Sequence, residues 1–311
     1  MEQSYTSNHN ESAQEPMRLL VTMTCYNLKH PRLLVIAVCN RSTTMSAVEF
    51  EHHDHIATVT INRPEARNAM NPEVMVGLFD AFSEVEQNSD IRVAVITGSG
   101  DNAFCAGADL GQLIPLMTGT RKAENEWDQR YLSEVSGQGA YLINRDPTKP
   151  VIAAINGHAI AGGMELVQGT DIRISVPEAK FGLQEVKWAI FPAGGSTVKL
   201  PRQMPYAKAM ELMLTGDLIS AEEARQLGFL NYVVEADELM NRSMELATKL
   251  AANGPIAVQA IRKSAREVWG YPEAEALKME STFSRPVFQS EDAVEGPKAF
   301  MQKRQPVYKG R

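Results

Sequence analysis

The sequence predicts an α/β fold built from recurring strand, loop and helix units. Three observations predict it. Two apolar runs with strand character, Val93-Ala94-Val95-Ile96-Thr97 and Val151-Ile152-Ala153-Ala154-Ile155, each lead into a Gly-rich loop. The second loop runs into an apolar helix start at Met164-Glu165-Leu166-Val167. A third strand, Ile172-Arg173-Ile174-Ser175, follows after a short linker, as strand–helix connections usually are.

The chain has 311 residues, 44% hydrophobic and 22% charged, enough to bury one large core. A formal net charge of -7 argues against a general nucleic-acid partner, so an anionic ligand would need local basic groups. Cys25, Cys39 and Cys105 lack CxxC spacing and read as free thiols of a reducing compartment. No apolar run is long enough to span a membrane, and a cytoplasmic protein is expected. Residues 1 to 44 are expected to lie outside the fold, upstream of a start at Met45. Met17 to Ala47 holds basic residues and no acidic ones, so a mitochondrial transit segment is the alternative. Glu2, Glu11 and Glu15 oppose it. The expected division is a core over 45–240 and a helical C-terminal region over 241–311.

The elements follow in order. Val48 to Glu51 and Ile56 to Ile61 alternate at period two and read as a hairpin around His52-His53-Asp54-His55. Those histidines read as a polar turn, because neighbouring strand residues point to opposite faces and converge poorly on one metal ion. Asn71-Pro72 opens a helix, with Val74, Met75, Leu78, Phe79, Phe82 and Val85 at helical spacing. After the strand at 93–97, residues 111 to 146 read as helical, with amphipathic stretches at Gln112 to Met117 and Tyr131 to Ile143. Beyond Pro205 the pattern is helical over 207–214, 221–227, 237–252 and 255–268. The basic tail PKAFMQKRQPVYKGR reads equally as a solvated terminus or as a binding element.

The chemistry is read from two Gly-rich loops and two carboxylates. Glycine lets the backbone come close to a ligand, and unpaired N–H groups at a loop or helix start attract negative charge. The Ala108 and Gly162 N–H groups are therefore expected to converge on one oxygen, as an oxyanion hole. Glu165 follows Gly162-Gly163 closely, and Glu185 lies between apolar Phe181 and Trp188. An apolar setting raises a carboxyl pKa, and two such groups can divide acid and base roles. Gly98-Ser99-Gly100 with Ala103 imitates a dinucleotide fingerprint, but the loop continues where a helix should open, so NAD binding is a lesser reading. Gly194-Gly195-Ser196 lacks the spacing of a nucleophile elbow.

The segments INRPEARNAMN, AFCAGADL, AINGHAIAGGMEL and FGLQEVKWAIFPAGG resemble, in order and spacing, the motifs of the crotonase (enoyl-CoA hydratase/isomerase) superfamily, and EGPKAFMQKRQPVYKG resembles its C-terminus. The resemblance covers residues 46 to 311. It implies a spiral of ββα repeats, a C-terminal helical trimerisation region, and homotrimers that often pair into hexamers. It implies an enoyl-CoA hydratase that adds water to a trans-2-enoyl-CoA, with no cofactor beyond the coenzyme A moiety of the substrate. By the same resemblance Ala108 and Gly162 are the oxyanion donors, Glu165 and Glu185 the catalytic pair. Ala66, Arg67, Ala106, Gly107, Asp109, Leu110, Phe300 and Lys303 are coenzyme A and substrate contacts. Leu113, Ile114, Leu116, Met117, Trp127, Tyr131 and Trp188 are candidates for the acyl pocket, and helix packing explains most of them equally well.

The chain departs from the resemblance beside Glu185, where Gln184 replaces Pro and Lys187-Trp188 replace small or aliphatic residues, and at Met164. These positions bear on acyl-chain identity rather than on the reaction. Rival readings are an enoyl-CoA isomerase, a dehydratase of an acyl-CoA such as a carnitine thioester, and a non-catalytic acyl-CoA-binding protein.

Overall fold

The computed structural model describes residues 46–311, and the expectations about residues 1 to 44 lie outside them. β1 (Val48–His53) and β2 (Ile56–Ile61) form the expected hairpin, paired antiparallel from Val48 opposite Ile61 to His53 opposite Ile56. Its two turn residues, Asp54 and His55, both have positive φ, 48° and 70°, as a tight hairpin turn of matching twist requires. His52 and His55 both face the Asp90 carboxylate.

α1 (Pro72–Gln87) starts where the sequence places it. Asn71 caps it by accepting from the Val74 N–H at 2.9 Å, and Pro72 occupies the first position, where a missing N–H costs nothing. Val74, Met75, Leu78, Phe82 and Val85 are buried against the sheet side. β3 (Val93–Gly98) joins β2 in parallel, β5 (Val151–Ile155) joins β3, and β7 (Ile172–Ser175) joins β5. With β10 (Tyr232–Val233) they complete a six-stranded sheet in the order β1-β2-β3-β5-β7-β10. Strands covered on both faces carry continuous apolar runs, and β3 and β5 are buried at every residue.

Each of these parallel strands is followed directly by a short one in a second sheet. β4 (Ala103–Cys105) follows β3, β6 (His158–Ile160) follows β5, and β8 (Lys180–Gly182) follows β7. With β9 (Ile219–Ser220) they form a four-stranded sheet in the order β4-β6-β8-β9. A helical segment follows each pair, which is the ββα repeat that the resemblance implied. Strands of three residues show no periodicity, so the second sheet was invisible in the sequence. The first two double-strand turns are stitched together: the Gly98 N–H donates to Asn156 Oδ1 at 3.0 Å, and Asn156 Nδ2 donates to the Gly100 carbonyl. Buried Asn68 donates to the Ser99 and Ala103 carbonyls from outside. Gly98-Ser99-Gly100 therefore turns one strand into another and opens no helix.

The stretch expected to be helical over 111–146 is broken. α2 (Leu113–Met117) is followed by a turn, and α3 (Glu126–Arg130) continues through a π-helical turn, Tyr131–Val135, into α4 (Ser136–Gln138). Between α2 and α3 the chain doubles back on an ion pair of Arg121 with buried Asp128, 2.5 and 2.8 Å. Gly139 (φ 83°) and Leu142 (φ 65°) end the helical run before residue 146. α5 (Gly162–Gln168) follows β6.

The later helices are α6 (Ser196–Gln203), α7 (Tyr206–Thr215), α8 (Ala221–Gln226), α9 (Leu239–Ala251), α10 (Pro255–Glu267), α11 (Glu273–Phe288) and α12 (Glu291–Met301). α9 packs on β2, β3, β5 and β7, so the cover of the large sheet runs past residue 240 to Ala251. α11 and α12 lie in the region expected to be helical, 241–311, but their bounds cannot be read from the sequence because each contains an internal proline, Pro286 and Pro297. The basic tail folds back. Asp292 accepts the Lys309 and Gly310 N–H groups at 2.7 and 2.9 Å, and Arg92 donates to the Tyr308 carbonyl at 2.9 Å. No helix among the described residues is long and apolar enough to cross a membrane.

α5 meets β4 at Gly163, where a Cβ would lie 2.0 Å from the Cys105 carbonyl oxygen. Backbone cannot yield as a flexible side chain can. Gly163→Ala is expected to cost roughly 3 kcal/mol or more, read as a lowered urea midpoint.

Candidate active site

β4, β6 and β8 run parallel, so their ends deliver three loops to one edge of the small sheet. The first loop is 106–110. It lies beside residues 67–70, with the Ala106 N–H donating to the Arg67 carbonyl at 3.0 Å and the Met70 N–H to the Gly107 carbonyl at 2.8 Å. The Asp109 N–H returns to the Met70 carbonyl at 2.9 Å. Between these bonds the Ala108 N–H is left free. Gly107 has φ 97°, and a Cβ there would lie 2.9 Å from the Ala161 Cβ and 3.0 Å from the Ile160 carbonyl oxygen. Only glycine fits this crossing.

The second loop is Ala161 and the start of α5. Ala161 has φ 52° and ψ −125°, a strained conformation for a residue with a Cβ. Its N–H is tied to the Gly182 carbonyl at 2.8 Å, which anchors it to β8. The strain turns the Gly162 N–H out of the strand direction. The Cβ position of Gly162 lies 3.6 Å from the Ala108 nitrogen, so the two amides are neighbours. Neither amide donates to another group among the described residues.

Glu165 lies in the first turn of α5 and is 5% exposed. Its Oε1 accepts from the Gly194 N–H at 2.8 Å and from the Ser196 hydroxyl at 3.0 Å. Burial pushes its pKa up, and the Ser196 and Gly194 donors and the Lys199 charge oppose that push without cancelling it. Lys199 is itself held by the Leu142 and Ile143 carbonyls. Glu185 enters from the end of β8, as the first residue of a 3₁₀ turn, Glu185–Trp188. Its pKa is pushed up to about 7, chiefly by burial and further by the charge of Glu165, against its own amide. Its Oε2 is sealed from solvent with no hydrogen-bond partner. One carboxyl is thus fixed by donors, and the other is left in a setting that favours its proton.

Around this centre the expected contact residues divide. Ala66 and Arg67 sit on the loop stitched to Ala106, Arg67 exposed in the left-handed region. Leu110, exposed, continues the first loop. The Asp109 carboxylate pairs with Arg63 at 3.1 Å and caps the Gly111 and Gln112 amides, so its visible role is to fix the loop. Phe300 lies in the last turn of α12 and Lys303 just beyond its end, and no hydrogen bond or ion pair among the described residues joins their side chains to these loops. Leu113, Leu116 and Tyr131 are buried in the core, with Trp127 packed against it, while Met117 is exposed. Trp188 is 67% exposed. Side chains at i and i+3 eclipse in a 3₁₀ turn, which puts Trp188 on the side of Glu185. Sequence reasoning missed Gly194, Ser196, Gln168 and Lys199. The signal for them in the sequence is the Gly194-Gly195-Ser196 run, which lacks the spacing of a nucleophile elbow. Among the described residues no group of three or more His, Cys, Asp or Glu could hold a metal.

A family model described as enoyl-CoA hydratase/isomerase matches residues 51–311. The chain is 43% identical over 261 residues to the enoyl-CoA hydratase EchA19 of Mycobacterium tuberculosis, covering 84% of this chain and 96% of that protein. It is 38% identical to the carnitinyl-CoA dehydratase of Salmonella enteritidis, over 82% of this chain and 95% of the other. A crystal structure of an enoyl-CoA hydratase from Mycobacterium tuberculosis superposes with TM-score 0.77 at 38% identity, covering 86% of this chain and 100% of that one.

The two carboxyl environments predict a pH effect on stability. The folded pKa of Glu185, about 7, lies above its ordinary 4.5, so the fold favours the protonated form. Wild-type stability therefore falls as pH rises from about 4.5 through about 7. Glu185→Gln is expected to be more stable than wild type at pH about 8, by roughly 1–3 kcal/mol after solvent screening, with the gain gone near pH about 4. Urea midpoints at both pH values check it.

Proposed function

Because the chain belongs to the enoyl-CoA hydratase/isomerase family, we propose that it adds water across the 2,3-double bond of a trans-2-enoyl-CoA. Relatives at 43% and 34% identity are named enoyl-CoA hydratases, and the chain is an enzyme of the hydro-lyase kind. The observation that supports the reading is the closeness of two undonated amides, together with two buried carboxyls near one another whose pKa values are both raised, only Glu165 having protein donors on its side chain.

The thioester oxygen accepts from the Ala108 and Gly162 N–H groups. Negative charge gathers on it as water attacks the β-carbon, and fixed amides stabilise that charge without reorganising. Removing one such donor typically costs about 2.7–4 kcal/mol of barrier. Glu165, kept receptive by its donors, takes the proton from water as it attacks. Glu185, holding a proton near neutrality, delivers it to the α-carbon. The product is a 3-hydroxyacyl-CoA, and the two glutamates end with their protons exchanged. The polarising charge comes from amides, so the reaction requires no metal or redox group.

Ala66, Arg67, Ala106, Gly107, Asp109 and Leu110 line the path of the coenzyme A arm in this reading. Leu113, Met117, Trp127, Tyr131 and Trp188 are the residues proposed to shape the acyl end. Phe300 and Lys303 serve the nucleotide end of a neighbouring subunit, in a homotrimer or a pair of trimers. Exposed apolar side chains on α11 and α12, among them Leu277, Phe288, Val294, Phe300 and Met301, support such assembly. A second reading, dehydration of a polar acyl-CoA on the same site, is favoured by the similarity to a carnitinyl-CoA dehydratase. Product analysis with enoyl-CoA and carnitinyl-CoA side by side separates the two.

The full chain is expected to bleach the ultraviolet absorbance of crotonyl-CoA or a longer enoyl-CoA. Glu165→Gln and Glu185→Gln should each lower kcat by about 10²–10⁴-fold. The free-enzyme profile, kcat/KM, should decline as pH rises through about 7, where Glu185 loses its proton. Retention of full turnover by either variant would remove that glutamate from the mechanism.

A further inference from the structure

Two polar side chains behind Glu165 touch no reacting atom in the scheme above. Ser196 is the first residue of α6 and is fully buried. Gln168 is one helical turn beyond Glu165 on α5, also buried. Gln168 Nε2 donates to Ser196 Oγ at 2.9 Å, and Ser196 Oγ lies 3.0 Å from Glu165 Oε1. A hydroxyl has one proton. With Gln168 donating to its oxygen, the Ser196 proton is directed to Glu165. The Gln168 backbone carbonyl is held by Gln203 Nε2 at 2.9 Å and by Arg173 at 3.4 Å, while its side-chain Oε1 is buried without a hydrogen-bond partner.

The bonds on Glu165 are lopsided. Oε1 takes the two donors within bonding distance, Gly194 N–H and Ser196 O–H, and the Ser196 amide adds to their pull on the carboxyl. Oε2 takes none, and unlike Glu185 Oε2 it is not sealed from solvent. We propose that Ser196, oriented by Gln168, is a positioning residue for Glu165, fixing Oε1 so that Oε2 alone meets the reacting water. The proposal rests on the reading of Glu165 as the base. A carboxylate free to spin would offer either oxygen and would lose orientation at the moment of proton transfer.

Other charged groups face Glu165 and none substitutes for the hydroxyl. Glu185 lies across from it and acts by repulsion, since its pKa is raised by the Glu165 charge. Lys199, from α6, is committed to the Leu142 and Ile143 carbonyls, and it is flanked in turn by Asp146, Arg266 and Arg173. Burial pushes the Glu165 pKa up, and the Ser196 hydroxyl is the largest influence against that. Loss of the hydroxyl must therefore raise it further.

The test uses the full chain with Ser196→Ala, Ser196→Cys and Ser196→Thr. Cysteine exchanges one atom, keeps the cavity filled and offers only a weak S–H donor, so it serves should the alanine chain not fold. The Glu165 carboxyl is titrated by ¹³C NMR on labelled glutamate, assigned by the signal lost in Glu165→Gln. Kinetics on crotonyl-CoA are followed against pH. In the alanine and cysteine chains the Glu165 midpoint is expected to rise, in line with losing a hydrogen bond to a charged group. The acid limb of kcat should move up with it, kcat should fall about tenfold, and KM should stay within about twofold. Threonine should restore both. An unmoved midpoint, a folded threonine chain that restores nothing, or a rise in KM at constant kcat would each overturn the proposal. Should wild type hydrate no enoyl-CoA, the hydratase reading fails, and the titration still decides whether Ser196 governs Glu165.

Discussion

The start of α5 lies against the end of β4 so closely that Gly163 has no room for a side chain. That contact brings the first turn of α5 level with the loop after β4, and the site follows from it. Gly162 can then stand beside Ala108 only if the chain bends hard before it, and the bend falls on Ala161, held by its bond to Gly182. The strain at one alanine aims an amide, and the parallel neighbours β4, β6 and β8 keep that aim fixed against the first loop and against Glu185. A site built this way on strand ends depends little on loop mobility, since each loop is bonded to the next within one or two residues of the strand.

Two glutamates with the same side chain acquire different properties from their neighbours. Glu165 is the more enclosed, yet it is given two donors and a nearby ammonium. Glu185 has an orphaned buried oxygen and the charge of Glu165 beside it. Desolvation alone would protonate both. The difference lies in α6 and the loop before it, which present Gly194, Ser196 and Lys199 to one carboxyl and not to the other. Coupling through the shared charge means that a change at either carboxyl is felt at both.

The C-terminal third has a different character. α9 completes the cover of the large sheet, whereas α10, α11 and α12 bury little within the chain and leave long apolar side chains outside. The tail is nonetheless tied down, through Asp292, Glu295 and Arg92, so the last residues are positioned and not merely solvated. The chain thus fixes its terminus while leaving an apolar helical face uncovered.

The sequence by itself determined the α/β class, the hairpin, α1 with its Asn-Pro start, the long strands of the large sheet and, through ordered motifs, the family. These are local facts, carried by periodicity, caps and spacing within short windows. It did not determine the second sheet, whose strands are too short to show a period, nor the bounds of α11 and α12, whose internal prolines mask their helical pattern. The break at 118–125 depends on Arg121 reaching buried Asp128, a pairing no window reveals. The surroundings of Glu165 were also decided only by folding. Ser196 lies 31 positions away in the chain and 3.0 Å away in space, so its meaning comes from where α6 lands against α5. A residue type can be read from a sequence, but whether a carboxyl keeps or yields its proton is set by groups that only tertiary structure brings within bonding distance.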